Sequence, residues 1–325
     1  MPVPKGFQFK DRQVFTDEQM IEEIPKIGLR AFAKKHGVGV TSVNRRRRTV
    51  EERVGGAITP LTRGGHWKQL DRHPAVVQKD IQDGHVLIGS DAHYWPGIVP
   101  TAHNAFIEFC REFKPKGVIC NGDEFDFPSI SRWAPIGWES RPKISEEIEN
   151  TKAMLSEIEK VSKNAWHVNP LSNHSARFET RLATVAPEYA KVFGVHLKDH
   201  IPAWEPCWEC FVNGDVVVKH RLRSGMYAPR NNTLNAGRTV ITGHLHSQKI
   251  IAVSDYNGTR WGVDAGTMAD IGGPQFYNYT ETSKPLDWRS GFCMLTFVKG
   301  RLLMPELIWV SGKNEVQFRG KIWNV

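Results

Sequence analysis

The sequence predicts an α/β protein with a layered core, preceded by a small helical segment. Three observations predict it. From residue 81, short apolar runs alternate with amphipathic helical stretches and then give way to a succession of strands. Five of the apolar runs end in residues that bind metals. Finally, 325 residues with 40% hydrophobic and 24% charged content suffice for one large domain and a small one.

Composition excludes several classes. No stretch of about 18 apolar residues is present, so no membrane-spanning helix is expected. The opening "MPVPKGFQFKDRQVF" lacks the apolar centre of a secretory signal. Five cysteines, an odd count, argue against a disulfide framework, and a cytoplasmic setting is expected. The net charge of +8 favours polyanionic partners. That charge is unevenly spread, with four consecutive arginines in "NRRRRTVEER".

Residues 16 to 53 read as helical. "TDEQMIEEIPKIG" opens with a cap at Thr16 and an acidic first turn. In "LRAFAKKHGVGVTSVNRRRR", Leu29, Phe32 and Ala33 share a face, Gly37 can turn the chain, and Val40 and Val43 begin another face. The spacing Ala33-x3-Gly37-x5-Val43 resembles the helix-turn-helix of DNA-binding proteins, with Arg46 where that pattern prefers an apolar residue. Residues 1–55 are thus expected as a nucleic-acid-binding helical segment. Residues 56–80, rich in glycine and proline, are expected as a linker, and 81–325 as the main domain.

Within the main domain, "PTAHNAFIEFCREFKP" carries Ala102, Ala105, Phe106, Phe109 and Phe113 at helical spacing. "ISEEIENTKAMLSEIEKVSKN" repeats the pattern with Ile144, Ile148, Leu155, Ile158 and Val161. The first apolar run ends at Asp91 and His93, the second at Asp123, and the third at Asn173 and His174. The fourth, "VVVKH", ends at His220, and the fifth, "TVITGHLH", at His244 and His246. Function in α/β sheets collects beyond the carboxyl ends of the strands, so five ends can serve one site. If the last run stayed extended, His244 and His246 would point the same way. Imidazole, carboxylate and amide oxygens suit manganese, iron, zinc or nickel. Seven such groups exceed the needs of one tetrahedral ion and suit two ions sharing a carboxylate.

The ordered motifs DxH, GDxxD, NH, H and GHxH stand here as "SDAH", "NGDEFD", "SNHSAR", "VKHRL" and "TGHLH". In that order they resemble the calcineurin-like metallophosphoesterase superfamily. The resemblance implies a four-layer α/β/β/α sandwich of two mixed sheets flanked by helices. It implies two divalent metal ions, manganese first, with iron, zinc, nickel or magnesium as alternatives. Asp91, His93 and His246 would hold one, Asn173, His220 and His244 the other, and Asp123 would bridge them. A hydroxide activated by both metals would be the nucleophile, and His174 would stabilise the transition state or protonate the leaving oxygen.

Two departures from the family pattern bear on mechanism and substrate. Ser172 and Ser175 flank the Asn–His pair where the family has glycine and an acid, and Asp126 is the candidate to replace that acid. Phe127 follows Asp126 where phosphoprotein phosphatases carry an arginine, so the pattern is closer to the phosphodiesterase and nuclease branch. Arg177 is a candidate phosphate contact. The aromatic stretch "FDFPSISRWAPIGWES" is a candidate base-stacking wall, weighed against a packed loop. Arg221, Arg223 and Arg230 add positive charge. "CWEC" lacks a second CxxC and is not expected to bind zinc. His85, His103, His167, His196 and His200 have no motif context.

The sequence therefore leads to the expectation of a two-metal phosphodiesterase acting on nucleic acid, DNA before RNA. A basic helix-turn-helix beside such a domain suits a phage protein in its host's cytoplasm. The other readings are a phosphomonoesterase or protein phosphatase, and a DNA-binding protein with a degenerate site.

Overall fold

The computed structural model describes residues 14–54, 58, 76–133, 135, 137, 139–279 and 287–325. The chain divides into two compact units, Met1–Gln69 and Leu70–Val325.

The small unit holds three helices, α1 (Asp17–Ile27), α2 (Leu29–Lys35) and α3 (Val40–Val54). Thr16 caps α1 through a reciprocal pair of bonds with Gln19, which satisfies two backbone N–H groups at the helix start. Phe15, Met20, Ile24, Phe32, Ala33, Val43, Val50 and Ile58 form its core. Gly37 turns the chain between α2 and α3 with φ of 66°. Of the two valines that begin the face of α3, Val43 is buried and Val40, the first residue of the helix, is exposed. Arg46 is accounted for by Asp17, whose carboxylate lies 2.7 Å from the guanidinium. Arg53 bonds to the same carboxylate, and together the two arginines hold Asp17 below the usual carboxylate range.

In chain order the large unit continues with β1 (Val76–Lys79), β2 (Gly84–Gly89), α4 (Thr101–Phe113), β3 (Gly117–Cys120), α5 (Ile144–Val161), β4 (Trp166–Pro170), α6 (Ala176–Val185) and α7 (Leu197–His200). Then come β5 (Glu205–Cys207), β6 (Glu209–Val212), β7 (Val216–Val218), α8 (Ala228–Ala236), β8 (Thr239–Thr242), β9 (Lys249–Asp255) and β10 (Gly258–Asp264). The chain closes with β11 (Gly291–Val298), β12 (Arg301–Leu302), β13 (Glu306–Gly312), β14 (Glu315–Phe318) and β15 (Lys321–Asn324). One mixed sheet has the order β1-β6-β7-β8-β10-β9. The other has the order β15-β14-β13-β11-β2-β3-β4-β5, with β12 paired to β11. Of the segment expected as a linker, residues 76–79 form β1, an edge strand parallel to β6. Residues 56–57 and 59–75 of it lie outside the described residues.

The period of two in the strands builds the layers. On β2, Val86 and Ile88 join the core between the sheets, while Leu87 joins the core under the helices. Phe106 and Phe109 of α4 and Ile148, Leu155 and Ile158 of α5 fill that second core, as their helical spacing predicts. The ring of Phe109 meets those of Phe113, Phe292, Phe318 and Trp323, so truncating it to alanine would cost about 3–5 kcal/mol. On the far side, α8 packs against β8, β9 and β10. All five cysteines are buried and unpaired. Cys207 and Cys210 of "CWEC" fall on strands of different sheets, facing the core between them. Within the described residues, no helix is long and apolar enough to cross a membrane.

This packing puts the carboxyl ends of β2, β3 and β4 at the same edge as those of β7, β8 and β10. Loop-to-loop bonds stitch that edge: Asp91 N–H donates to the Gly122 carbonyl, Gly243 N–H to His220 and Ala265 N–H to Thr242.

Glu147 lies beneath this edge on α5. It is fully buried, accepts one bond of 2.8 Å from Phe127 N–H, and leaves its second oxygen unpartnered. Burial pushes its carboxyl from an ordinary 4.5 up to about 8. The folded state thus favours the protonated form. Its contribution to stability is full below pH 4.5 and is lost as pH rises through about 8. Melting temperatures at pH 5 and pH 8 should therefore fall further in the wild type than in Glu147→Gln. Equal falls in both proteins would refute this.

Candidate metal centre and its arginine-lined cleft

The ligand-bearing loops are short and sharply turned. Asp91, His93, Asp123, His244 and His246 all adopt positive φ, between 38° and 71°. Left-handed backbone costs roughly 1–2 kcal/mol for a residue bearing a Cβ. Two glycines allow the loops to approach. A Cβ on Gly243 would collide with Ser90 Oγ and Asp91 Oδ2, and one on Gly122 would lie 2.8 Å from His220 Nδ1.

Seven residues predicted as ligands meet at this edge. Asp91, His93 and His246 form one group able to hold a cation, and Asp123, His220 and His244 form another. Asp123 Oδ2 lies 3.2 Å from His220 Nε2 and 4.0 Å from His93 Nε2, so one carboxylate oxygen faces both groups. Asn173 lines the cleft beside His244. The two histidines of "GHLH" do not project together as an extended strand would have them. The strand β8 ends at Thr242, and the positive φ values beyond it send His244 to one group and His246 to the other.

The donor chemistry fits divalent cations. His220 Nδ1–H donates to the Asn121 carbonyl at 2.8 Å, and His93 Nδ1–H to Asp126 Oδ1 at 3.1 Å. In the neutral imidazole each bond keeps the proton on Nδ1, which would leave Nε2 for a cation. His93 Nε2 and Asn173 Oδ1 are buried and make no hydrogen bond, and His220 Nε2 has the Asp123 carboxylate 3.2 Å away. Such orphaned acceptors are costly unless a cation takes them. Burial alone would raise the Asp123 carboxyl, but His220 and His174 outweigh it and hold Asp123 well below its ordinary value. The converse applies to His220. Burial would lower it, yet Asp123 and Asp91 push it up to about 9. Burial lowers His93 and His244.

Asp126, the candidate to replace the missing acid, contacts both His174 and His93. Its Oδ1 lies 2.5 Å from His174 Nδ1 as well as 3.1 Å from His93 Nδ1. Burial opposes a charge on His174, but Asp123 and Asp126 raise it above its ordinary value. Arg177 donates to the Asp126 carbonyl at 2.7 Å and reaches His174 Nε2 at 3.1 Å. The serine standing in the acid's sequence position, Ser175, donates to Glu124 Oε1 at 3.0 Å. Burial pushes Glu124 up to about 7.

Outside the metal groups opens a cleft of about 770 Å³. Asn173, His174 and His244 form its floor, and Arg132, Arg177, Arg181 and Arg221 stand on its walls. Among the described residues no carboxylate lines it. Of the aromatic stretch expected as a stacking wall, Phe125 and Phe127 are fully buried and stacked on each other, so they are core. Trp133 does line the cleft. Arg223 and Arg230 do not line it.

Sequence reasoning missed three residues here. Arg181 follows Arg177 by one helical turn on α6, a spacing visible in the sequence. Asp264 ends β10 in "RWGVDAGT" as the other acids end their strands. It accepts from Ser247 Oγ and Gly266 N–H, and burial pushes it up to about 6. Glu124 carried no local signal, because only the fold brings it to Ser175.

No known family's sequence profile matches the chain. It is 27% identical to the gene 54 protein of Mycobacterium phage L5 over 243 residues, covering 68% of this chain and 91% of that protein. The gene 54 protein of Mycobacterium phage D29 is 26% identical over 248 residues, with the same coverage of 68% and 91%. Among solved structures, zinc-complexed Vps29 from Entamoeba histolytica is similar at 12% identity and a TM-score of 0.39, covering 74% of this chain and 98% of that one. A Saccharomyces cerevisiae protein serine/threonine phosphatase is similar at 13% identity and 0.36, covering 74% and 85%.

If Asp126 orients His93 toward a cation, Asp126→Asn should weaken Mn2+ binding about 10- to 100-fold in titration calorimetry, with the circular dichroism spectrum unchanged. Unaltered affinity would remove His93 and Asp126 from the centre.

Proposed function

We propose that the chain is a metal-dependent phosphoesterase of the calcineurin-like metallophosphoesterase superfamily, and that it hydrolyses phosphodiester bonds in nucleic acid. The observation that carries this reading is the Asp123 carboxylate facing both His/Asp groups, with an arginine-lined cleft directly outside. Asp91, His93 and His246 would hold one divalent ion and Asn173, His220 and His244 the other, with Asp123 shared. Manganese is the first candidate. Such ions supply Lewis-acid polarisation of a phosphoryl oxygen and acidify water.

The chain's own groups do the rest. His174, oriented through Nδ1 by Asp126, presents Nε2 to the cleft, where it can give a proton to the leaving oxygen. Arg177 stands over that nitrogen in the free protein, and a substrate phosphate offers its guanidinium a better acceptor. Phe127, buried at the position where phosphoprotein phosphatases carry an arginine, favours diesters over phosphoprotein. The basic α3 fits a docking role on DNA. There Arg45 and Arg48 carry no ion pair among the described residues, whereas Arg46 and Arg47 pair with Asp17 and Glu51. The phage origin of the two sequence relatives fits work in a host cytoplasm.

Hydrolysis of bis-p-nitrophenyl phosphate and p-nitrophenyl phosphate, with Mn2+ or EDTA, tests the reading. The diester should be preferred, and turnover should vanish with EDTA and in Asp123→Asn. His174→Ala should lower kcat by about 10²–10⁴. Turnover of the monoester alone would indicate a phosphomonoesterase. No turnover with any divalent metal would leave a DNA-binding protein with a degenerate site.

A further inference from the structure

The cleft is larger than one phosphodiester needs, and its walls have a definite composition. Arg132, Arg181 and Arg221 line the cavity and carry no ion pair among the described residues. Arg177 and Arg181 lie four residues apart on α6, about 6 Å along the helix axis, a spacing that lets them reach successive phosphates of one strand. At the mouth, Trp133 is 67% exposed, with the Arg132 guanidinium 4.9 Å from its ring centroid. An exposed indole offers a flat face on which a nucleobase can stack. Its backbone is held in place: Arg141 donates to the carbonyls of Pro128 and Trp133 and pairs with Glu139. The ring is thus presented on a braced turn.

We infer that this cleft is a groove for single-stranded nucleic acid, in which Trp133 stacks on an unpaired base and Arg181 holds the phosphate next to the reacting one. The inference rests on the phosphodiesterase reading for what happens at the metal centre, but binding in the groove does not need turnover. A duplex keeps its bases stacked inside, where an indole cannot meet a base face, whereas every base of a single strand offers one. Arginines without a base-edge partner read backbone charge and not sequence, so binding tolerates many sequences.

The test is fluorescence anisotropy of the full chain in EDTA, with fluorescein-labelled oligo-dT, oligo-U and a DNA duplex of equal length. Because α3 is proposed to dock on DNA, duplex is expected to bind through that helix, and Trp133→Ala should leave duplex affinity within about twofold of wild type. Trp133→Ala should weaken strand binding about 5- to 150-fold, and Trp133→Phe should restore most of it. Arg181→Ala should lower the slope of log affinity against log salt by about 0.7, while Arg238→Ala, at the amino end of β8, should leave it unchanged. Trp133→Ala within twofold of wild type on every single strand, or weakening duplex and strand alike, would overturn the inference. Because EDTA removes turnover, the two readings fail separately. Hydrolysis of the small diester with no effect of Trp133 sinks only the groove. A Trp133-dependent affinity in a protein that hydrolyses nothing sinks only the phosphoesterase.

Discussion

The structure depends on holding buried, mutually attracting charges in left-handed backbone. Five of the candidate ligands are borne on residues with positive φ. Neither the strain nor the desolvation would survive in a free loop. Both persist because each turn is clamped by a neighbour from another strand. His93 N–H bonds to the Asp123 carbonyl, His244 N–H to the Asp91 carboxylate, His174 N–H to the Asp123 carboxylate, and Arg289 N–H to the His246 carbonyl. Two sheets with a dry core between them supply the rigid frame. A cation placed among these groups would replace imperfect attractions with coordinate bonds, so folding and metal binding are expected to be linked.

Within that frame, Asp126 has a double duty. One oxygen accepts from a ring that faces the metal groups and from a ring that faces the cleft, and the two rings lie edge to face at 4.9 Å. Ligand orientation and proton placement therefore share a single support. Substitutions at His93, His174 and Asp126 should be strongly non-additive, as expected for residues that act as a unit.

Much of the site was legible because burying a polar residue after an apolar run is costly and so is informative. Asp91, Asp123, Asn173 and the two histidines of "GHLH" stood out as candidates by that contrast, and His220 by its place in the family order. The helices were legible from period, as Phe106, Phe109 and Leu155 show. The direction of the His244 and His246 side chains was not. Strand alternation holds only while φ stays negative, and nothing in "TGHLH" marks where the strand stops. Sheet order was equally hidden, since β1 finds β6 some 130 residues later through contacts that leave no local trace. Glu124, Ser175 and Asp126 exchange partners across the fold for the same reason. Arg181 and Asp264 were different, because their spacing and strand-end positions were there to be read.

The buried cysteines have a practical consequence. Burial pushes the Cys110 and Cys210 thiols up to about 12 and raises the other three as well, so none offers a thiolate to solvent at neutral pH. The native chain is therefore silent toward maleimides and mild oxidants. A single cysteine placed at a chosen surface position would be the sole reactive thiol. Distances between the helical unit and the sandwich could then be followed by spectroscopic probes, with no need to strip the natural cysteines first.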